Sequence, residues 1–184
     1  AVLVLEEDQP VQELDYSKLA SRLLEDGQVL ELKKEIREPW GLGISPASLK
    51  GVVVDGAGVE LEGEWSESSS LRPFVGTSYW HDGNGGKGMR TAKFPFVAEK
   101  SGLHEVKVSF VPSGNRAGKV IYEVSDENGL NMVEVDQRKG GKKDTIWYSL
   151  GSFVYKEGKE YKVSVYNKDT EGYVIVDAMQ VIAL

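Results

Sequence analysis

The sequence predicts an all-β fold, an antiparallel β-sandwich preceded by a short helical segment. Three observations carry this. Beyond residue 50 the apolar residues recur with period two, turn-forming clusters separate those runs, and helical spacing is confined to the N-terminal part. Period two sends alternate side chains to opposite faces of a strand, so it implies half-buried antiparallel strands.

Within the first 50 residues, Asp15 to Gly27 reads as a helix. Asp15 can cap the free amides of the first turn. Leu19 and Leu23 share a face, and Gly27 suits a left-handed end. Val29 to Glu38 fits a helix through Val29, Leu32 and Ile36, or a strand through Leu30 and Leu32. Pro39 stops either. Residues 39–50 read as a linker, which divides the chain into an N-terminal segment, 1–50, and a sandwich, 51–184.

In the second part, His104, Val106, Val108 and Phe110 share one face of a strand. Val120, Tyr122 and Val124 share the next, followed by Val133 with Val135, and by Tyr161, Val163 and Val165. Trp147 to Tyr155 and Tyr173 to Leu184 complete the set. Between them stand turn signals such as Asp126 to Gly129, Gly140-Gly141 and Glu157-Gly158, whose glycines supply positive φ. Short strands parted by such turns form the pattern of a sandwich.

A net charge of −7 sets the chain against nucleic acid as a partner, because phosphate backbones are held by clustered Lys and Arg. No apolar run nears the roughly 20 residues that span a bilayer. There is no Cys, which excludes zinc sites built on thiolates. The chain starts at Ala1 without a basic and apolar leader, as a mature form or an excised piece of a longer polypeptide does.

Gly83 to Gly88 matches G-x-G-x-x-G, but Pro95 and alternating apolar residues follow it, so a strand stands where a dinucleotide site needs a helix. There is no G-x-S-x-G, and His104 reads as a core or edge histidine. Tyr79-Trp80-His81-Asp82-Gly83-Asn84 crowds aromatic, imidazole, carboxylate and amide groups together. That is the composition of a sugar or metal site, and also of a rigid Ω-loop. Tyr79 and Trp80 are the preferred sugar platforms, since pyranose faces stack on flat rings. Calcium takes carboxylate, amide and carbonyl oxygens; Asp55, Asp82 and Asp177 are the candidate ligands for a structural ion. The basic run Arg138 to Lys143 suits an acidic polysaccharide or a solvated hairpin.

Several ordered pieces resemble the golvesin and xanthan-lyase carbohydrate-binding-like domain family. They include Val54-Asp55, Gly63-Glu-Trp65-Ser66, Gly76-Thr-Ser-Tyr79 and His81-Asp82-Gly-Asn84. Asn115-Arg116-Ala117, Val133 to Gln137, Trp147-Tyr-Ser-Leu150-Gly151 and Gly172 to Ala178 follow. The resemblance covers about residues 52–184. It implies a jelly-roll-like sandwich acting as a non-catalytic carbohydrate-binding accessory module of a larger secreted bacterial protein, periplasmic or at the cell surface. The implied partner is a polysaccharide or the upstream part of the same polypeptide.

Two other readings stand beside it. One is a structural domain packing on an upstream catalytic region, FAD-dependent oxidoreductase-like or polysaccharide lyase-like. The other is a stand-alone hydrolase using His81 and Asp82. The expected ligand-binding set is Tyr79, Trp80, His81, Asp82, Asn84, Arg116 and Gln137, with no cofactor. Gln137 can bond a sugar hydroxyl or a loop carbonyl. Asp177, set in an apolar strand, needs a partner such as Arg116 or a metal.

Overall fold

The computed structural model describes residues 43–140 and 146–184. The helix expected over residues 15–27 and part of the basic run after Arg138 lie outside the described residues. Their strands, in chain order, are β1 (Val52–Val54), β2 (Glu60–Glu62), β3 (Ser66–Ser68), β4 (Tyr79–His81), β5 (Thr91–Val97), β6 (Gly102–Ser109), β7 (Val120–Asp126), β8 (Gly129–Val135), β9 (Trp147–Tyr155), β10 (Glu160–Tyr166), β11 (Ile175–Val176) and β12 (Met179–Ala183).

All pairings between these strands are antiparallel. One sheet runs β1-β12-β6-β9, a second β2-β5-β10-β7-β8, and a third, smaller one β11-β4-β3. Alternation sorts the two larger sheets into inner and outer faces. In β10, Tyr161, Val163 and Val165 are buried while Glu160 and Lys162 are exposed. In β6, His104, Val106 and Val108 are buried and Glu105 and Lys107 stay half-exposed. The inner faces meet at Tyr155 of β9, whose ring lies 4.6 Å from that of Tyr161 and 5.1 Å from that of Phe96. Each fully buried Val or Phe here contributes about 1.5–3 kcal/mol relative to exposure.

Two irregularities have local causes. β2 pairs only with residues 91–93 of β5, so Pro95 stands where that side of the strand is open and its missing N–H costs no bond there. Between Val106 and Lys107 the β6–β9 register shifts by one, leaving Leu150 unmatched as a bulge. The Leu150-Gly151 piece noticed in the sequence is therefore a bend in β9.

Residues 43–50, expected as linker, are joined to the sandwich. Gly43 and Ile44 donate to the carbonyls of Gly76 and Phe74, and Gly76 donates back to Ile44. The described chain belongs to a compact unit that begins at Glu38.

Candidate functional site

A buried network ties the Gly-rich loop after β4 to the loop before β11. Asp82 is fully buried. Its Oδ1 accepts from the amides of Asn84 and Val174, at 2.9 Å each. Its Oδ2 accepts from Lys87 Nζ at 2.7 Å and Asn167 Nδ2 at 3.2 Å. Burial alone would raise the Asp82 carboxyl; the hydrogen bonds from Lys87, Val174, Asn84 and Asn167 outweigh it and hold the group below its ordinary value. Lys87 also donates to Thr170 Oγ1 and the Gly172 carbonyl. Asn167 donates to the carbonyls of Gly85 and Gly86 and accepts from the amides of Gly88 and Arg90. Four donors fill the four acceptor positions of the Asp82 carboxylate. No oxygen there is left for a sugar hydroxyl or a cation.

Gln137 has a similar job. It is fully buried at the end of β8, where its amide imitates a strand. Oε1 accepts from the Ile175 amide at 2.8 Å, and Nε2 donates to the Ile175 carbonyl at 2.8 Å and to Tyr122 Oη at 2.9 Å. The carbonyl that Gln137 bonds is not the expected loop carbonyl but that of Ile175 in strand β11. Gln137 anchors β11 and is not open to a ligand.

The same anchoring sets Tyr173 beside Arg116. Residues 116 and 173 form a parallel bridge, with the Tyr173 amide on the Asn115 carbonyl (3.0 Å) and the Ala117 amide on the Tyr173 carbonyl (2.9 Å). Gly172 makes this approach possible: its φ is +91°, and a Cβ there would lie 2.7 Å from the Arg116 carbonyl oxygen. The Arg116 guanidinium carbon lies 6.0 Å from the centroid of the Tyr173 ring, and the His81 ring meets Tyr173 edge-on at 5.7 Å.

Next to this stack a groove of about 810 Å³ runs between the loops of residues 114–119, 134–138 and 169–172. Asn115 and Arg116 line it with Lys119, Asp136, Asp169 and Glu171. One wall is rigid. Asp136 accepts two bonds from Arg138, at 2.8 and 2.9 Å. A Cβ at Gly118 would lie 2.6 Å from the Arg138 guanidinium, so the missing side chain lets Arg138 lie against the backbone.

The expected residues therefore separate. Arg116 lines the groove, and His81 stands beside it across the Tyr173 ring. Burial and the nearby Arg116 charge lower the His81 pKa, against the opposing pull of Asp82. His81 Nδ1 accepts from the Gly83 amide at 3.1 Å, and Asp82 bonds elsewhere, so the two do not form an acid–base pair. Tyr79 is buried on Phe74, with its hydroxyl among Ser68 and Ser70. Trp80 is half-buried and packs on the core. Asn84 is exposed, at φ +54°, in the turn that Asp82 closes.

Asp177 does not meet Arg116, the partner expected for it. The Val75 amide bonds both its oxygens at 3.2 Å, and Ser109 Oγ donates to Oδ2. Burial, with the Asp55 charge nearby, raises Asp177 to about 7, while burial raises Asp55 to about 6. Asp55 Oδ1 is buried without a hydrogen-bond partner.

Sequence reasoning missed Tyr173, Asn115, Asp169 and Glu171 as site residues. Two of them stand inside motif pieces already quoted, but their neighbours in space are more than 50 positions away.

Four similarities to known proteins bear on these observations. The model of the golvesin C-terminal domain family matches residues 52–183. The xanthan lyase of Bacillus sp. (strain GL1) is 32% identical over 133 residues, 71% of this chain and 14% of the lyase. The solved Paenibacillus xanthan lyase matches with a TM-score of 0.67 and 29% identity, over 72% of this chain and 13% of that one. A family 35 carbohydrate binding module from Clostridium thermocellum matches with a TM-score of 0.53 and 12% identity, over 74% of this chain and 100% of the module. That last likeness is one of fold. The chain corresponds to a small part of either lyase.

Proposed function

The chain belongs to the golvesin C-terminal domain family, and from that premise we propose that it is a non-catalytic polysaccharide-binding module of a larger secreted protein. The groove beside Arg116 is its glycan site. One observation supports this most: an aromatic ring, Tyr173, stands between a guanidinium and an imidazole, and its neighbours Arg116 and Gly172 line an open polar groove. A pyranose offers an apolar face and a girdle of hydroxyls. It is held by one flat ring and a few polar groups of fixed direction. The Arg116–Tyr173 stack and the Asp136–Arg138 wall supply both. The fold likeness to a carbohydrate binding module and the kinship with xanthan lyases support the same reading. The stand-alone hydrolase loses its support, because Asp82 is consumed by structure.

Affinity gel electrophoresis against neutral and acidic polysaccharides, xanthan included, tests the proposal. Retardation with Kd in the millimolar to micromolar range, about −4 to −8 kcal/mol, is expected. Tyr173→Ala should weaken it by about three- to tenfold, a stacked ring being worth about 0.5–1.5 kcal/mol beyond the area it buries. No retardation on any of the polysaccharides would overturn it.

A second reading, docking against an upstream catalytic region, has its own observation. Leu130 and Met132, 64% and 61% exposed, share one face of the edge strand β8. Leu130→Ser with Met132→Ser should leave glycan retardation unchanged and, on this reading, loosen the module from its parent polypeptide.

A further inference from the structure

We infer that the Arg116 end of the groove is a carboxylate subsite, and that the module takes a sparsely carboxylated polysaccharide in which an acidic sugar is flanked by neutral ones. This rests on the groove being the glycan site.

Arg116 is 7% exposed, yet no carboxylate among the described residues pairs with it. Its Nε donates to the Val111 carbonyl at 3.1 Å and Nη1 to Asn115 Oδ1 at 3.0 Å. Both acceptors are neutral. A guanidinium has five N–H donors, so three remain beyond these two bonds, on a side chain that lines the groove. A buried cation without a counter-charge is costly, and a planar carboxylate is the acceptor that matches a guanidinium edge in both charge and spacing. The acid nearest in kind, Asp136, is already taken by Arg138 and Lys139. Asn115 Oδ1 faces Arg116, which leaves its amide NH₂ as a further donor at the groove.

The rim is net negative: Arg138 is paired with Asp136, and the exposed Lys119 is outnumbered by three acids. Glu134, Asp169 and Glu171 line the groove and are exposed. Within a screening length of about 8–10 Å they repel neighbouring negative charge. A carboxylate lowered onto Arg116 is attracted, while a second one on the next sugar meets the rim. Dense polyanions are disfavoured by that arrangement, and isolated acidic residues are selected by it.

The test uses the whole chain and three polysaccharides: xanthan and gellan, which carry carboxylates on some of their sugars, and polygalacturonate, which carries one on nearly all. Each is compared with its carboxyl-reduced, neutral form by affinity electrophoresis and calorimetry. Xanthan or gellan should bind at least about tenfold more tightly than its reduced form and than polygalacturonate. Arg116→Lys, which keeps the charge and loses the planar fork, should shrink that preference. The native-to-reduced ratio in the wild-type chain needs no variant, so misfolding of Arg116→Lys does not blunt the test. Equal binding of native and reduced forms, or preference for a neutral polysaccharide, overturns the carboxylate subsite and leaves the glycan-binding reading standing. Polygalacturonate binding as tightly as xanthan and gellan overturns the selection for sparse charge. Absence of binding to every native and reduced form overturns the subsite and the glycan site together.

Discussion

Lys87 Nζ lies 2.7 Å from Oδ2 of the fully buried Asp82 and joins two loops that stand 85 positions apart in the chain. The pair explains why the Gly-rich segment holds one shape. Lys87 and Asn167 both donate to the Asp82 Oδ2, and Asn167 also ties down the carbonyls of Gly85 and Gly86.

Asp82→Asn should therefore cost stability. The change puts a neutral amide against an ammonium and places two N–H groups where acceptors are needed. Breaking a buried, hydrogen-bonded pair costs about 3–5 kcal/mol; Lys87 keeps some solvent, so about 3 is expected. Lys87→Met should cost less, since Asp82 keeps three neutral donors. Urea unfolding of both variants checks the order. A shift under about 0.5 kcal/mol for Asp82→Asn would show the network to be unimportant. The acid limb has a fixed sign. The folded-state pKa of Asp82 is depressed below 3.8, so its contribution is complete above about pH 4 and drains as pH falls through the folded value.

Asp55 and Asp177 act in the opposite direction. Their folded-state values, about 6 and about 7, lie above the ordinary 3.8. The stability tied to their protonated forms is complete below about pH 4 and is lost as pH rises through 6 and 7. Combined with Asp82, this predicts a thermal midpoint that peaks near pH 4–5 and declines toward pH 8. Differential scanning fluorimetry in EDTA, which removes any cation that would neutralise the pair, measures it. Asp177→Asn should flatten the decline between pH 5 and 8. A midpoint that climbs steadily from pH 5 to 8 in the wild type would contradict the assignment.

The legible part of the fold was the part with a local signal. His104, Val106 and Val108, or Tyr161, Val163 and Val165, announce a half-buried strand from their own spacing. The third sheet has no such signal. Ser66–Ser68 is polar throughout, and it is a strand because Tyr79–His81 pairs with it while Ile175–Val176 pairs on the other side. The site divides in the same way. Asp82 and Gln137 have the composition of ligand-binding residues, and the partners that claim them, Asn167, Val174 and Ile175, lie 38 to 92 positions away. Tyr173 looked like one more apolar strand residue until Asn115 and Ala117 fixed its place beside Arg116.

Gln137→Leu keeps the volume of the side chain and removes its hydrogen bonds. The Ile175 amide and carbonyl and Tyr122 Oη would then be buried without that partner. Unsatisfied groups cost about 1–3 kcal/mol each, and partial relaxation brings the expected total to about 3–4. The urea midpoint should fall with an unchanged slope. Glycan retardation by the folded fraction should persist, because Gln137 does not line the groove. Loss of retardation with little loss of stability would restore Gln137 as a contact residue.

Gly172→Ala should damage the fold and the site in one step. The new methyl would sit 2.7 Å from the Arg116 carbonyl oxygen and 2.8 Å from that of Asn115, both backbone atoms, at a φ of +91°. Either the residue refuses that conformation or the strand moves off, and both break the Asn115–Tyr173 and Ala117–Tyr173 hydrogen bonds. A loss of about 2 kcal/mol or more is expected. Because Tyr173 then shifts from Arg116, glycan affinity should fall further than the folded fraction accounts for. Gly114→Ala supplies the contrast on the same groove. A Cβ there meets nothing within 4 Å, so stability should hold or rise by about 0.4–1 kcal/mol. Equal thermal midpoints for the two variants would refute the claim that close backbone approach at Gly172 positions the Arg116–Tyr173 stack.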